Sequence, residues 1–361
     1  MQKSFLIQAT LALFFLVLGF WILYVAKPVL MPLAIAGVLT MLFIPVCIWF
    51  EKNGINRIWA AIICGLFFVL IIIAIGMLIS TQFSNITNNL SIIEQNISNT
   101  LNRLQRYLQN SLNISTSDQN KTLDKQNSTD HLSISLTAVL GSLLEIIIYM
   151  ILILVYMILM LYYRTHFKNF ILKLVPETQM AKTKKIIEQS SKVVQQYLLG
   201  LSIIIVMLWI MYGIGFSIVG VKNALFFAVL CGLLEIIPFV GNITGSTLTS
   251  LMALSQGGGI SMVLGVLTTY AIVQFIQFYI IAPMIMGVQV RINPLFTIVI
   301  IIAGEVLWGV PGMILSIPLL AITKIVFDNV DSLKPYGYLI GQDNRGNIFM
   351  QRLRKLFHRS R

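Results

Sequence analysis

Long apolar runs separated by short polar turns dominate the chain. Phe5–Ala26, Met31–Phe50, Ile58–Ser80, Leu136–Tyr163, Leu198–Val219 and Ile260–Ala282 are each long enough to cross roughly 30 Å of hydrocarbon at about 1.5 Å per helical residue. The pattern predicts about six full transmembrane helices. Two other apolar stretches read differently. Asn223 to Glu235 is 13 residues, about 20 Å as helix and short of a span. It runs into Glu235-Ile-Ile-Pro238-Phe-Val-Gly241-Asn242-Ile-Thr-Gly245. Proline removes an intrahelical donor and glycine loosens the backbone, so the helix should break here. Irregular backbone survives at membrane depth only in a protein interior or a wet cavity. The lengths predict a re-entrant hairpin, with 223–236 entering, 238–245 broken and 246–254 returning to the same side. Pro294 to Phe327, broken at Gly309-Val-Pro311-Gly312, predicts a second hairpin.

The two hairpins share a pattern. Seventy positions apart, Asn223/Asn293, Leu225/Leu295, Phe226/Phe296, Val229/Val299, Glu235/Glu305 and Val240/Val310 coincide, 6 identities over positions 223 to 242. The asparagine and glutamate pairs carry the comparison, since apolar matches arise freely in apolar sequence. One full crossing, 260–282, separates the copies, so they enter from opposite faces as an inverted repeat. Interrupted hydrophobic segments at corresponding places in two repeats point to a transporter's binding site.

Two polar segments interrupt the apolar pattern. After the third span Ile86, Leu90, Ile93, Ile97, Leu101, Leu104 and Leu108 recur every three or four residues, a heptad-like stripe. It predicts a helix from about Thr81 to Asn110, serving as a seam for another subunit or packing within the protomer. Ser111 to Asp130 then loses periodicity and reads as a flexible external loop. Between the fourth and fifth spans, Pro176-Glu177 opens a stretch with apolar Ile186, Ile187, Val193, Val194, Tyr197 and Leu198 and polar Lys182, Lys184, Lys185 and Lys192. Proline at the start and an acid in the first turn suit an amphipathic helix over 176–197, lying along the membrane interface.

Composition agrees with this pattern: 57% of the chain is hydrophobic and 11% charged, against about a quarter charged in soluble proteins. The expectation is an all-α integral membrane protein. A net charge of +12 would suggest nucleic acid in a soluble protein, but here the basic residues gather in particular loops. Residues 162–195 hold seven Lys/Arg against two Glu, 324–361 hold eight against three Asp, and 81–137 hold four of each sign. By the positive-inside rule the first two are cytoplasmic, with both termini inside and the insert outside. The basic tail then faces anionic lipid headgroups, and no nucleic-acid partner is expected. Phe5–Ala26 exceeds a signal-peptide core and lacks a small-residue cleavage site before Lys27-Pro28, so it reads as an uncleaved first span. The domain organisation expected is 1–80 as three N-terminal transmembrane helices, 81–135 as an external insert and 136–219 as further spans. Residues 220–327 form a hairpin–helix–hairpin transport domain, and 328–361 a basic cytoplasmic tail.

Candidate chemistry is sparse. Cys47, Cys64 and Cys231 lie in apolar runs and read as small core residues. His131, His166 and His358 fall outside the spans, so neither a metal cluster nor a cofactor is expected. Intramembrane proteases require a serine–histidine pair, an aspartate pair or a His-Glu-x-x-His helix. The predicted spans hold neither histidine nor aspartate, so the chain is not expected to be an enzyme. Glu235 and Glu305 are the leading candidates, because a carboxylate at membrane depth is costly unless protonated, paired or hydrated. Each could couple protons or a cation, bond a polar solute, or cap the backbone of the opposite hairpin. Gln274 and Gln277 share one helix face three residues apart, either for solute binding or for bonds between helices. Pro238, Gly241, Asn242, Pro311 and Gly312 bring free backbone groups to the same depth. Glu145 is expected near the external headgroups. A passive channel or a membrane scaffold is the competing class.

At Glu235-x-x-Pro238-x-x-Gly241, Pro283-x-x-x-Gly287, Pro294 and Leu307-Trp308-Gly309-x-x-Gly312-x-x-x-x-x-Pro318-Leu319 the chain resembles the autoinducer-2 exporter (AI-2E) family of bacterial permeases. The resemblance extends over nearly the whole length and concentrates between residues 195 and 327. It implies a multi-pass transporter of the bacterial inner membrane, homo-oligomeric and pentameric, with elevator-like movement of the hairpin domain. Its substrate would be a small polar signalling molecule such as autoinducer-2, or sodium or lithium exchanged for protons. Many members carry Gly-Pro where this chain has Gly241-Asn242.

Overall fold

The computed structural model describes residues 2–87, 136–238, 240–286 and 292–342. Most of the expected insert, the basic tail beyond residue 342 and Gly287 lie outside these. The described residues are almost entirely helical. In chain order they form α1 (Gln2–Val25), α2 (Lys27–Lys52), α3 (Arg57–Thr87), α4 (Leu136–Lys173), α5 (Glu177–Val219), α6 (Ala224–Leu234), α7 (Val240–Ser255) and α8 (Gly259–Ile276). A π-helical segment, Gln277–Ile281, leads into α9 (Ala282–Met286). Then follow α10 (Pro294–Trp308), α11 (Val310–Asn329), a 3-10 turn (Asp331–Leu333) and α12 (Lys334–Ile340).

Among the described residues six helical stretches are long and apolar enough to cross a membrane: Lys27–Lys52, Arg57–Met77, Glu145–Lys173, Glu177–Val219, Gly259–Ile285 and Val310–Asn329. The expected all-α membrane architecture is present. α1, expected as the first span, is a helix of 24 residues, and α11, expected as a return limb, is itself long and apolar enough to cross. A second difference concerns α5. The amphipathic stretch and the fifth span form one uninterrupted helix of 43 residues, about 64 Å, because Gly200 is the only weak helix former near the change of composition.

The chain divides into two compact units: Met1–Cys64, Tyr156–Ser202 and Pro283–Arg361 in the first, Gly65–Val155 and Ile203–Ala282 in the second. In the first, α10 and α11 fold back on one another around a single residue, Gly309, whose φ of 68 suits glycine. The backbones of Gly304 and Gly312 touch directly; a Cβ on either would overlap the other's carbonyl. Ser316 Oγ reaches Ile300 O at 2.9 Å and its own Gly312 O at 2.7 Å. Small residues let two backbones close in this way, and in lipid such packing takes the place of the hydrophobic drive. Trp308 Nε1 donates to Leu23 O of α1 at 3.0 Å, and Gln195 Nε2 to Met41 O of α2 at 2.8 Å.

At the basic end of this unit the pairings are ionic. Arg164 of α4 pairs with Glu51 of α2 and donates to Cys47 Sγ at 3.3 Å. Lys182 of α5 reaches Asp331 at 3.0 Å, and Lys334 reaches it at 2.7 Å. All three cysteines are free and buried.

Candidate functional site

In the second unit α6 and α7 form a helical hairpin closed by a short turn. Backbone bonds tighten the exit from α6: Ile236 N donates to Leu233 O at 3.1 Å, Ile237 N to Leu234 O at 2.9 Å and Val240 N to Pro238 O at 2.7 Å. The break is briefer than the sequence suggested. Helix resumes at Val240, so Gly241, Asn242 and Gly245 belong to α7 rather than to an irregular tip. Their role is close approach. A Cβ on Gly241 would overlap the Leu234 carbonyl, and one on Gly245 would meet Tyr270 Oη at 2.5 Å and Cys231 Sγ at 3.2 Å.

Glu235, at the end of α6, faces α8 in the partly buried ground behind this turn. Gln277 Nε2 donates to Glu235 Oε1 at 2.9 Å, and Gln274 Nε2 lies 3.5 Å from Oε2. The same Gln274 nitrogen donates to Asn242 Oδ1 at 2.6 Å and to Tyr212 Oη of α5 at 3.1 Å. Four stretches therefore meet here: α5 through Tyr212, the α6 terminus through Glu235, α7 through Asn242, and α8 with the π-helical segment that continues it through Gln274 and Gln277. Gln277 opens the π-helical segment. A helix that admits one extra residue per turn re-aims the side chains that follow, and such segments recur at functional sites.

The polar atoms are not all satisfied. Gln274 Oε1 and Gln277 Oε1 are buried and lack a hydrogen-bond partner among the described residues. Both amides spend their donors on the carboxylate side, which fixes their orientation from the bonding network. The result is a carboxylate flanked by two unpaired carbonyl oxygens, a cluster that accepts and has few donors left. A buried unpaired acceptor is costly, so the two amide oxygens favour an occupant that donates hydrogen bonds.

Behind the cluster, Tyr212 stacks on Phe216 at 5.4 Å between ring centroids and lies 4.7 Å from Tyr270. Tyr270 Oη donates to Cys231 Sγ at 2.6 Å, Cys231 lies 3.4 Å from Thr249 Oγ1, and Thr249 donates to Gly245 O at 2.8 Å. These bonds tie α6, α7 and α8 together below the carboxylate and hold its position. Tyr212 was not singled out in the sequence, where an aromatic residue in an apolar span reads as core. Its only signal there is that a tyrosine buried in a span needs a partner for its hydroxyl.

The structure brings six of the expected residues into this one region: Glu235, Pro238, Gly241, Asn242, Gln274 and Gln277. The other three belong to the first unit. Glu305 lies near the end of α10 with an exposed side chain, and Pro311 and Gly312 open α11. Repeat-related Asn223 and Asn293 also differ: Asn293 is extended and its side chain accepts Leu295 N at 3.0 Å, whereas Asn223 is left-handed at φ 58. Glu145 is exposed.

A helical hairpin whose carboxylate is clasped by amides from a neighbouring apolar helix, with six membrane-length helices among the described residues, defines a multi-pass membrane protein with a polar site among its spans. The chain belongs to the AI-2E family of transporters, whose pattern matches residues 13–332. It is 26% identical over 310 residues to a Bacillus subtilis candidate transport protein, YueF, covering 83% of each chain. A second B. subtilis candidate transport protein, YrrI, is 29% identical over 130 residues, 36% of each chain. A candidate transport protein of Borreliella burgdorferi is 28% identical over 129 residues, again 36% of each. Membrane transport is the role these similarities support.

Proposed function

We propose that the chain exports a small polar, uncharged signalling molecule of the autoinducer-2 kind across the bacterial inner membrane, bound at the Glu235 cluster and coupled to protons there. The observation that carries this reading is the pair of unpaired carbonyl oxygens beside the carboxylate. A protonated Glu235 accepts less well from the two amides, and an amide that turns over meets the carboxyl proton with its oxygen instead. An ionised Glu235 leaves both oxygens open to the hydroxyl groups of a solute. Proton and solute then compete for the same acceptors, which is the elementary requirement for exchange. Pro238, Gly241 and Asn242 shape the turn over the cluster, and Gln274 and Gln277 orient the carboxylate. In the first unit Glu305, Pro311 and Gly312 occupy the corresponding places of the repeat and serve as the second coupling station. Transport proceeds by elevator-like movement within a homo-oligomer, pentameric as in the resemblance, with both termini cytoplasmic.

The second reading is exchange of sodium or lithium for protons. A carboxylate with carbonyl oxygens is the hard oxygen set such cations take, and the same unpaired atoms favour it. Transport by the purified full chain in proteoliposomes under an imposed proton gradient separates these readings, with autoinducer-2, sodium and lithium supplied in turn. Glutamine keeps size and hydrogen bonding but carries no exchangeable proton. Glu235→Gln and Glu305→Gln should assemble normally yet lose the pH dependence of transport. Wild-type rate and pH profile in both and in the double variant would overturn the coupling role, and solute flux only down its gradient would favour a passive channel.

A further inference from the structure

A second group of reactive side chains lies in the first unit, beside the turn between α2 and α3. Cys47 stands shortly before the end of α2 and Cys64 shortly after the start of α3, about 8 and 10 Å from that turn at about 1.5 Å per helical residue. Their similar depth brings the two thiols near enough to act on one another.

Cys47 has a base on one side and a cation on the other. Its thiol donates to Glu51 Oε1 at 3.6 Å, one turn along α2, and its sulfur accepts from Arg164 Nη1 at 3.3 Å. Arg164 in turn pairs with Glu51. Arg57 lies near enough to act on the same carboxylate, and its Nε and Nη2 are buried without a hydrogen-bond partner among the described residues. Two guanidinium groups thus stand with one carboxylate at the thiols, an electropositive setting that stabilises charge developing on sulfur. Neither sulfur is exposed, but the Glu51 and Arg164 side chains against Cys47 keep 24% and 18% exposure. A molecule little larger than water can reach the sulfur by displacing either one.

We propose that Cys47 and Cys64 form a peroxide-reactive dithiol, with Cys47 the attacking thiol and Cys64 the resolving one. Cys47 sulfur attacks one oxygen of hydrogen peroxide and the O–O bond breaks. Glu51 takes the thiol proton and passes it to the departing hydroxide, which leaves as water, while Arg164 holds the sulfur and Cys47 becomes a sulfenic acid. Cys64 sulfur then attacks Cys47 sulfur, the S–O bond breaks, and the hydroxyl leaves with the Cys64 proton as a second water. Two thiols and one peroxide give one disulfide and two waters, with two electrons passing from sulfur to oxygen. The site is separate from the Glu235 cluster and does not depend on what is transported.

The test is treatment of the full chain in lipid nanodiscs with hydrogen peroxide, followed by thiol blocking, digestion and mass spectrometry. Wild type should yield peptides linked through Cys47 and Cys64, which dithiothreitol separates again. Cys231, bonded to Tyr270 and Thr249 instead, should stay reduced. Cys64→Ser should leave a sulfenic acid on Cys47 that dimedone traps, whereas Cys47→Ser should leave Cys64 unmodified over the same time. Glu51→Gln should slow the linkage about a hundredfold, the lower end of general-base assistance. The wild-type linkage decides the matter without any variant. Cys47 and Cys64 staying reduced in wild type, oxidation of Cys231 at the same rate, a dimedone adduct on Cys64 in place of Cys47, or an undiminished rate in Glu51→Gln would overturn the proposal.

Discussion

Gly241 shows how one missing carbon places a carboxylate. Because its Cα lies against the Leu234 carbonyl, α7 starts immediately beside the end of α6, and Asn242 comes within reach of Gln274. Gly241→Ala should force the turn open and lower stability by about 1–3 kcal/mol, the usual cost of overpacking, seen as a lower unfolding temperature in detergent. Tyr212→Phe removes one acceptor from Gln274 but leaves Asn242, so its cost should be smaller, about 1 kcal/mol by the same measurement. The sequence announced Glu235 and the two glutamines because polar residues are conspicuous in apolar runs. It left open whether the glutamines bind solute or other helices. The structure has their nitrogens bonding between helices while their oxygens remain unpaired, a division within one side chain that no residue pattern encodes.

At the scale of elements, breaks were easier to read than continuity. Gly309 and Pro238 mark the two turns, as glycine and proline should, yet the helices resume sooner than expected. Pro311 occupies the first turn of α11, where its missing N–H costs nothing. The change from amphipathic to apolar sequence near Leu198 looked like an element boundary; composition changed there, but no residue stopped the helix. The basic end of α5 is clamped instead by ions. Hydrogen bonds and charge from Lys334 and Lys182 hold the exposed Asp331 carboxyl down at about 2, below the ordinary aspartate value near 4. A lowered carboxyl contributes above its ordinary range and loses its effect as pH falls through about 2, so the clamp is intact at neutral pH. Asp331→Asn should raise the acetylation rates of Lys182 and Lys334 at pH 7, read by peptide mass spectrometry. The unfolding temperature should scarcely change, because exposed pairs contribute little.

For the whole molecule, hydrophobic runs made the membrane class and the approximate number of spans legible, since twenty apolar residues admit few other fates. They did not show that the return limb of the second hairpin is itself of membrane length: α11 starts directly after Gly309 and runs 20 residues to Asn329. The opposite-face arrangement of the two hairpins, expected from charge and length, has a direct check. Val240 and Val310 are both exposed at the start of their return helices. Single cysteines there, in a background without the three buried native ones, should react with impermeant thiol reagents from the outer and inner faces respectively. Labelling of both from one face would remove the inverted repeat.

The π-helical segment at Gln277 also has a bearing on chain length. An α-helix advances about 100° per residue, so one residue more or less rotates everything beyond it by nearly a third of a turn. Removing Ile280 instead takes out the residue that the π-turn absorbs, so the helix can settle into ordinary register with its flanking turns close to their present facing, and Gln274 and Gln277 still reach Glu235. A deletion elsewhere in the same helix has no such surplus residue to remove and turns everything beyond it, so this segment is where the chain can shorten with least disturbance of the carboxylate cluster.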